Sequence, residues 1–114
     1  MLKSKVLIID DEVDFCMIMQ SYFSNKNYEV FLTYTLQDGL QVLYEKRPDI
    51  LFLDNNLPDG QGWEFIEEIV EKFPHIKIYL ISAYRQKKDF SNPFPNTVVW
   101  EKPLSIGMLN SHFQ

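Results

Sequence analysis

The stretch VLIIDD at residues 6–11 joins four consecutive apolar residues directly to two aspartates. A short run that is apolar at every position is typical of a strand buried on both faces, as in parallel sheets covered by helices. The same pattern recurs at residues 50–54, where ILFL is followed by Asp54. The two stretches predict two central strands of a parallel sheet, each ending in acidic residues.

Helical and extended patterns alternate along the rest of the chain. Apolar residues recur at helical spacing in three segments, which are Phe15–Phe23 (with Ile18, Met19 and Tyr22), Leu36–Tyr44 and Phe65–Phe73. Further strands are predicted at residues 28–33, 76–81 and 98–100, and a short last helix near Ser105. This alternation predicts one α/β domain over residues 1–114, with an open parallel sheet and helices on both faces.

Two local patterns refine this prediction. Thr35-Leu36-Gln37-Asp38 resembles a capping box at the start of the second helix. Residues 84–96 contain Pro93 and Pro95 and show no clear apolar stripe, although the alternation calls for a helix there. The fourth helix is therefore predicted to be short or missing.

The composition argues against several classes of protein. The net charge of −5 and the absence of a basic stripe argue against direct binding to nucleic acid. The single cysteine, Cys16, excludes an internal disulfide and lies among apolar residues, so a buried structural thiol is predicted. The apolar run near the N-terminus is too short for a signal peptide or a membrane helix, which predicts a cytoplasmic protein with no membrane contact.

Polar side chains follow four of the predicted strands: Asp10 with Asp11, Asp54, Ser82 and Lys102. Ligands of open parallel sheets bind at the carboxyl ends of the strands, so these groups should converge. Three carboxylates at about 4 Å repel by roughly 4 kcal/mol per pair at an effective dielectric of about 20, and Mg²⁺ would offset that cost. With Lys102 to contact a phosphate oxygen, the set suits phosphoryl transfer to a carboxylate.

The chain resembles the receiver domains of bacterial response regulators, the CheY-like family of two-component signalling. The resemblance is carried by four pieces in order, and it covers essentially the whole chain: VLIIDDE (residues 6–12), DNNLPDGQG (54–62), Ser82-Ala83 and Lys102-Pro103. It implies a flavodoxin-like, doubly wound, five-stranded parallel sheet of order 2-1-3-4-5.

The resemblance also implies a role for each site residue. Asp54 would be the phosphoacceptor, taking a phosphoryl group from a histidine kinase or phosphotransfer protein. Mg²⁺ would be held by Asp11 and Asp54, by the backbone carbonyl of Asn56, and by Asp10 through water. Lys102 would bind a phosphoryl oxygen, helped by a cis peptide before Pro103, and Ser82 would hydrogen-bond the phosphoryl group. Asn56 and Tyr84 would tune the lifetime of the phosphate, while the small Ala83 leaves access to the acceptor. We hypothesise from its bulk that Tyr84 shields the phosphoryl group from water.

The chain departs from the family pattern at the residue that usually changes conformation on activation. Where the family usually has an aromatic residue that changes rotamer on activation, this chain has Val99, with Trp100 beside it. The usual aromatic switch therefore does not carry over to Val99. The sequence leaves open how the signal is read out, the cognate kinase and target, the oligomeric state, and whether the chain stands alone or belongs to a longer protein.

Two other functions fit part of the pattern. A receiver-like interaction module would bind partners without being phosphorylated, and the altered position 99 and the weak fourth helix favour it. A small phosphatase of the haloacid-dehalogenase type would use Asp10 as its nucleophile. That family needs a further acidic pair after the lysine, and residues 103–114 contain no acid.

The receiver interpretation describes a signalling protein that assists only its own phosphorylation and dephosphorylation, rather than an enzyme acting on other substrates.

Overall fold

The computed structural model describes residues 3–82, 94 and 96–113. In chain order its elements are β1 (Lys5–Ile9), α1 (Val13–Asn25), β2 (Glu29–Thr33), α2 (Leu36–Lys46), β3 (Ile50–Asp54), β4 (Asn56–Leu57), β5 (Gly60–Gln61), a 3₁₀ turn (Gly62–Phe65), α3 (Ile66–Lys72), β6 (Lys77–Ser82), β7 (Thr97–Glu101) and α4 (Ile106–Phe113). None of these helices is both long enough and apolar enough to cross a membrane.

Five of the strands form one parallel sheet in the order β2-β1-β3-β6-β7. Counting only these five strands, the order is 2-1-3-4-5, which confirms the predicted doubly wound topology. Strands β1 and β3 are direct neighbours, and Ile9 is paired with Leu53. The residues that follow these two partners therefore emerge side by side at the same edge of the sheet.

The central strands are buried on both faces, which explains their unbroken apolar sequences. Successive side chains point to opposite sides. On one side Leu7, Ile9, Leu51 and Leu53 pack with residues of α2 and α3. On the other side their alternate neighbours pack with α1 and α4, and this second cluster contains Val6, Ile8, Phe52, Tyr79, Phe23 and Leu109.

Helix α1 buries a narrower stripe than its sequence predicts. Cys16, Met19 and Phe23 are fully or almost fully buried, as expected for positions three and four residues apart on one face. The prediction that Ile18 belongs to the buried stripe was wrong, because its side chain is 55% exposed. A step of two residues turns a helix by roughly 200°. Ile18 therefore points away from the face on which Cys16 lies.

Helix α2 begins with two kinds of cap. Thr35 Oγ1 accepts a hydrogen bond from the backbone N–H of Asp38 at 3.1 Å, as the capping pattern predicts. The Asp59 carboxylate, from the loop between β4 and β5, accepts the N–H groups of Leu36 at 2.7 Å and Gln37 at 2.9 Å. These hydrogen bonds lower the pKa of Asp59. The loop after Asp54, which the sequence shows only as polar, is therefore a small antiparallel hairpin tied to α2.

Some sequence predictions fall on residues 83–93 and 95, which lie outside the described part of the chain. They are the short or missing fourth helix, the access role of Ala83 and the shielding role of Tyr84. All three stay predictions.

Two glycines provide a matched test of the packing. A Cβ at Gly39 of α2 would lie 2.5–2.7 Å from three side-chain atoms of Ile9, whereas a Cβ at Gly107 of α4 would meet only Ser105 Oγ at 3.9 Å. We expect Gly39→Ala to lower the free energy of unfolding by about 1–3 kcal/mol through overpacking. Gly107→Ala should raise it by about 0.5–1 kcal/mol through helix propensity. Urea denaturation measures both, and a neutral or stabilising Gly39→Ala would contradict the close packing of α2 on β1.

Candidate functional site

Three carboxylates meet at the carboxyl edge of the sheet. Asp10 and Asp11 follow β1, and Asp54 is the last residue of β3. Each offers one oxygen, and these three oxygens lie within 4.8 Å of one another. Asp10 is fully buried and Asp54 is 3% exposed, while Asp11 faces solvent. The structure therefore brings together the three acids that the sequence singled out, with two of them out of contact with bulk water.

Asp10 contacts Glu12, which directly precedes α1, and Lys102, which directly follows β7. Its Oδ1 accepts the backbone N–H of Glu12 at 2.8 Å. Its Oδ2 pairs with the ammonium of Lys102 at 2.6 Å. Burial raises the pKa of Asp10, and the contacts with Lys102 and Glu12 N–H oppose that rise.

Lys102 reaches the site from the loop after β7. Its backbone N–H donates to the carbonyl of Ser82 at 2.8 Å, and its peptide bond to Pro103 is cis. Its ammonium also donates to Glu12 Oε1 at 2.5 Å. Burial by itself would lower the pKa of Lys102, but the hydrogen bonds and charges of Asp10 and Glu12 outweigh it, and the net pKa is raised. Lys102 therefore remains a cation at neutral pH.

The surroundings of Asp54 destabilise the ionised form of its carboxyl group. Burial raises its pKa from 3.8 to about 6, and the charge of Asp10 contributes to the rise. Lys102 and the backbone N–H groups of Asn56 and Asn55 pull the pKa down. The net result is a carboxylate that is ionised at neutral pH but insufficiently compensated by its protein neighbours.

The other predicted site residues lie around this cluster. Ser82 is the last residue of β6, is 4% exposed, and is paired with Glu101. Asn56, the first residue of β4, is exposed. Val99 is 38% exposed on β7, whereas Trp100 packs against Tyr79 with ring centroids 4.8 Å apart.

The donor set suits a hard divalent cation. Carboxylate oxygens are the ligands that Mg²⁺ prefers, and it commonly retains several waters. Three carboxylate oxygens within 4.8 Å of one another, two of them from buried residues, concentrate negative charge that a divalent cation would offset. The residues present therefore fit Mg²⁺.

Two residues at the site were not assigned a role from the sequence. Glu12 pairs with Lys102, and the Phe15 ring lies under the same ammonium, with its centroid 4.6 Å from Nζ. Glu12 could have been found from its position, since it directly follows the acidic pair at the end of β1. Phe15 gave no such signal, because an aromatic residue in a helical stripe usually indicates core packing.

We predict that Asp54→Asn stabilises the metal-free protein by on the order of 2 kcal/mol at pH 7.5, because it removes a buried charge. The pKa of Asp54 is raised from 3.8 to about 6 in the folded protein, so folding favours the protonated carboxyl group. The stability that wild type has below pH 3.8 is therefore lost as the pH rises through about 6 and Asp54 ionises. The advantage of the variant should therefore shrink as the pH falls from 7.5 toward 5.

Denaturation in EDTA across this pH range measures the effect. The exposed Asp14→Asn, which makes the same chemical change, is the control and should show no such pH-dependent gain. An Asp54→Asn variant less stable than wild type at pH 7.5 would contradict the dominance of burial.

Comparison with known proteins agrees with this geometry. The family model described as the response regulator receiver domain matches residues 6–94. Among solved structures, a CheY-like response regulator receiver domain from Methanospirillum hungatei JF-1 is 23% identical with a TM-score of 0.86, over 97% of this chain and 90% of that chain. Chemotaxis protein CheY4 of Vibrio cholerae is 21% identical with a TM-score of 0.83, over 99% of this chain and 98% of the other.

The signal receiver domain of a putative LuxO repressor protein from Vibrio parahaemolyticus is 21% identical with a TM-score of 0.84, over 97% of this chain and 87% of that one. At such identities the structural matches establish the fold, while the family match rests on the sequence itself. Since that match spans most of the 114 residues, the chain belongs to the response regulator receiver domain family.

Proposed function

We propose that this receiver domain accepts a phosphoryl group on Asp54 in a two-component phosphorelay and that phosphorylation changes its binding to a downstream partner. The observation that carries the proposal is the placement of the Asp54 carboxylate within 4.8 Å of the Asp10 and Asp11 oxygens. The donor would be a histidine kinase or a phosphotransfer protein, as is usual for the family. Because such kinases draw on ATP, we propose that the protein works in the cytoplasm.

In the proposed reaction an oxygen of Asp54 attacks the phosphorus of a phosphohistidine. The new P–O bond forms as the P–N bond breaks, and the electron pair of that bond returns to the imidazole nitrogen of the donor. Asp54 is suited to this role because its pKa of about 6 leaves it ionised at neutral pH. The raised pKa also reflects a desolvated and under-compensated oxygen, which is the form of a carboxylate that attacks readily.

Mg²⁺ would be held by side-chain oxygens of Asp11 and Asp54, by the backbone carbonyl of Asn56 and, through water, by Asp10. When bound, it supplies positive charge that offsets the carboxylate cluster and the phosphoryl oxygens. Lys102 provides a second, fixed positive charge for a phosphoryl oxygen. Ser82, at the end of β6, supplies a hydroxyl group for another.

Asp54 is a better nucleophile than Asp10, although both are buried. The Asp10 carboxylate accepts the Glu12 N–H with one oxygen and pairs with Lys102 at 2.6 Å through the other. Those contacts stabilise its charge and reduce its tendency to attack. This difference supports the receiver reading over a phosphatase that uses Asp10.

We expect Mg²⁺ to stabilise the fold. A ligand that binds only the folded state, at ten times its dissociation constant, adds about 1.4 kcal/mol to the free energy of unfolding. Asp11→Asn should reduce this gain, because it removes an exposed ligand with little effect on the core. Thermal melts over a Mg²⁺ titration measure it, with Asp14→Asn as the control. An equal response of wild type and Asp11→Asn would argue against the proposed metal site.

The direct test is intact mass after incubation with Mg²⁺ and acetyl phosphate. Wild type should gain the mass of one phosphoryl group, Asp54→Asn should gain none, and omission of Mg²⁺ should abolish the gain. Because some receivers ignore small donors, a phosphorylated histidine phosphotransfer protein is the second donor.

If neither donor modifies wild type, the phosphoacceptor role is wrong and the unphosphorylated interaction module takes its place. Turnover of a phosphomonoester that Asp10→Asn abolishes and Asp54→Asn spares would instead indicate the phosphatase.

A further inference from the structure

The ammonium of Lys102 is held on the α1 side of the acidic edge. It lies 2.5 Å from Glu12 Oε1 and 2.6 Å from Asp10 Oδ2, over the Phe15 ring. Asp10 and Glu12 come from the link between β1 and α1 and Phe15 from the first turn of α1, whereas Asp54 ends β3. A phosphoryl group on Asp54 needs this same ammonium for one of its oxygens. The contacts that hold Lys102 therefore compete with the contact it would make on phosphorylation.

The two acids that hold Lys102 are not equivalent. Asp10 is one of the three carboxylates whose oxygens lie within 4.8 Å, so a cation bound there would compensate its charge and weaken its hold on Lys102. Glu12 lies outside that cluster, and its side chain is 57% exposed. The attraction between Glu12 and Lys102 would therefore persist when a cation is bound, which leaves Glu12 as the competitor that matters.

We propose that Glu12 is a positioning residue that competes with the phosphoryl group of Asp54 for Lys102 and thereby lowers the affinity of the site for that group. The inference rests on the proposed function of Asp54 as phosphoacceptor. Occupation of the site requires the ion pair between Lys102 and Glu12 to open, and no covalent bond of either residue changes. Because Glu12 is more than half exposed, water takes over the released carboxylate, and the pair acts as a moderate brake on phosphorylation.

The test uses beryllofluoride, a stable mimic of the phosphoryl group on aspartate, with the full chain in saturating Mg²⁺. Trp63 reports binding by fluorescence, since its indole N–H donates to the carbonyl of Leu53 at 3.3 Å, one residue before Asp54. Glu12→Gln keeps the length of the side chain and removes its charge. We expect it to bind beryllofluoride about five-fold more tightly than wild type, as loss of a partly exposed ion pair implies.

Asp14→Asn is the matched control. Asp14 is exposed in the first turn of α1, two residues from Glu12, and its substitution removes the same charge near the same helix end. Its affinity for beryllofluoride should stay close to that of wild type. Equal tightening by both variants would assign the effect to general charge and overturn the proposal, as would unchanged or weaker binding by Glu12→Gln.

A second readout needs neither metal nor phosphoryl mimic. In EDTA the side-chain nitrogen resonance of Lys102, assigned with Lys102→Met, should shift in Glu12→Gln and stay in place in Asp14→Asn. No shift in Glu12→Gln would overturn the inference even if beryllofluoride binds.

Failure of the phosphoacceptor role and failure of the competition by Glu12 give different results. Absence of beryllofluoride binding to wild type and to Glu12→Gln alike would contradict the phosphoacceptor role itself and the inference with it. Binding by wild type with the same affinity as Glu12→Gln would remove the inference alone.

Discussion

Repulsion among Asp10, Asp11 and Asp54 is the constraint around which the functional edge of this domain is arranged. The sheet forces the three acids together, because β1 and β3 are adjacent and Ile9 is paired with Leu53 immediately before them. Burial of large apolar side chains on both faces of these strands, roughly 2 kcal/mol for each, holds the strands in place against the repulsion. Burial raises the pKa of both Asp10 and Asp54, the charge of Asp10 adds to the rise at Asp54, and the positive charge of Lys102 opposes both shifts.

The segment after Asp54 is tied to α2 by side-chain hydrogen bonds. Asp59 accepts two backbone N–H groups at the start of α2, so the hairpin that carries Asn56 is anchored to that helix. Gly62 closes the segment, and a Cβ there would collide with the backbone carbonyl of Asp54. A residue with a side chain at position 62 would therefore displace the backbone at Asp54. The hairpin after β3 and helix α2 therefore support the backbone beside Asp54.

Helix α1 contributes more to the site than its packing role implies. The thiol of Cys16 donates to the carbonyl of Asp10 at 3.3 Å, and burial raises its pKa to about 12, so it stays protonated at neutral pH. This agrees with the prediction of a buried structural thiol. Glu12 and Phe15, from the start of the helix, position the Lys102 ammonium. One short segment therefore supports the backbone of Asp10 and sets the direction of the cation that faces the acids.

The sequence by itself determined the layered α/β fold and the meeting of Asp10, Asp11 and Asp54. Unbroken apolar runs such as residues 6–9 predict buried parallel strands, and the ends of such strands share one edge. Tertiary structure alone decided the contacts between residues distant in the chain. The Asp59 cap on α2 spans 23 residues and the pair between Lys102 and Glu12 spans 90, so no local pattern records them. The exposure of Ile18 was also decided there, because helical periodicity shows which residues share a face but not how wide a stripe the sheet will cover.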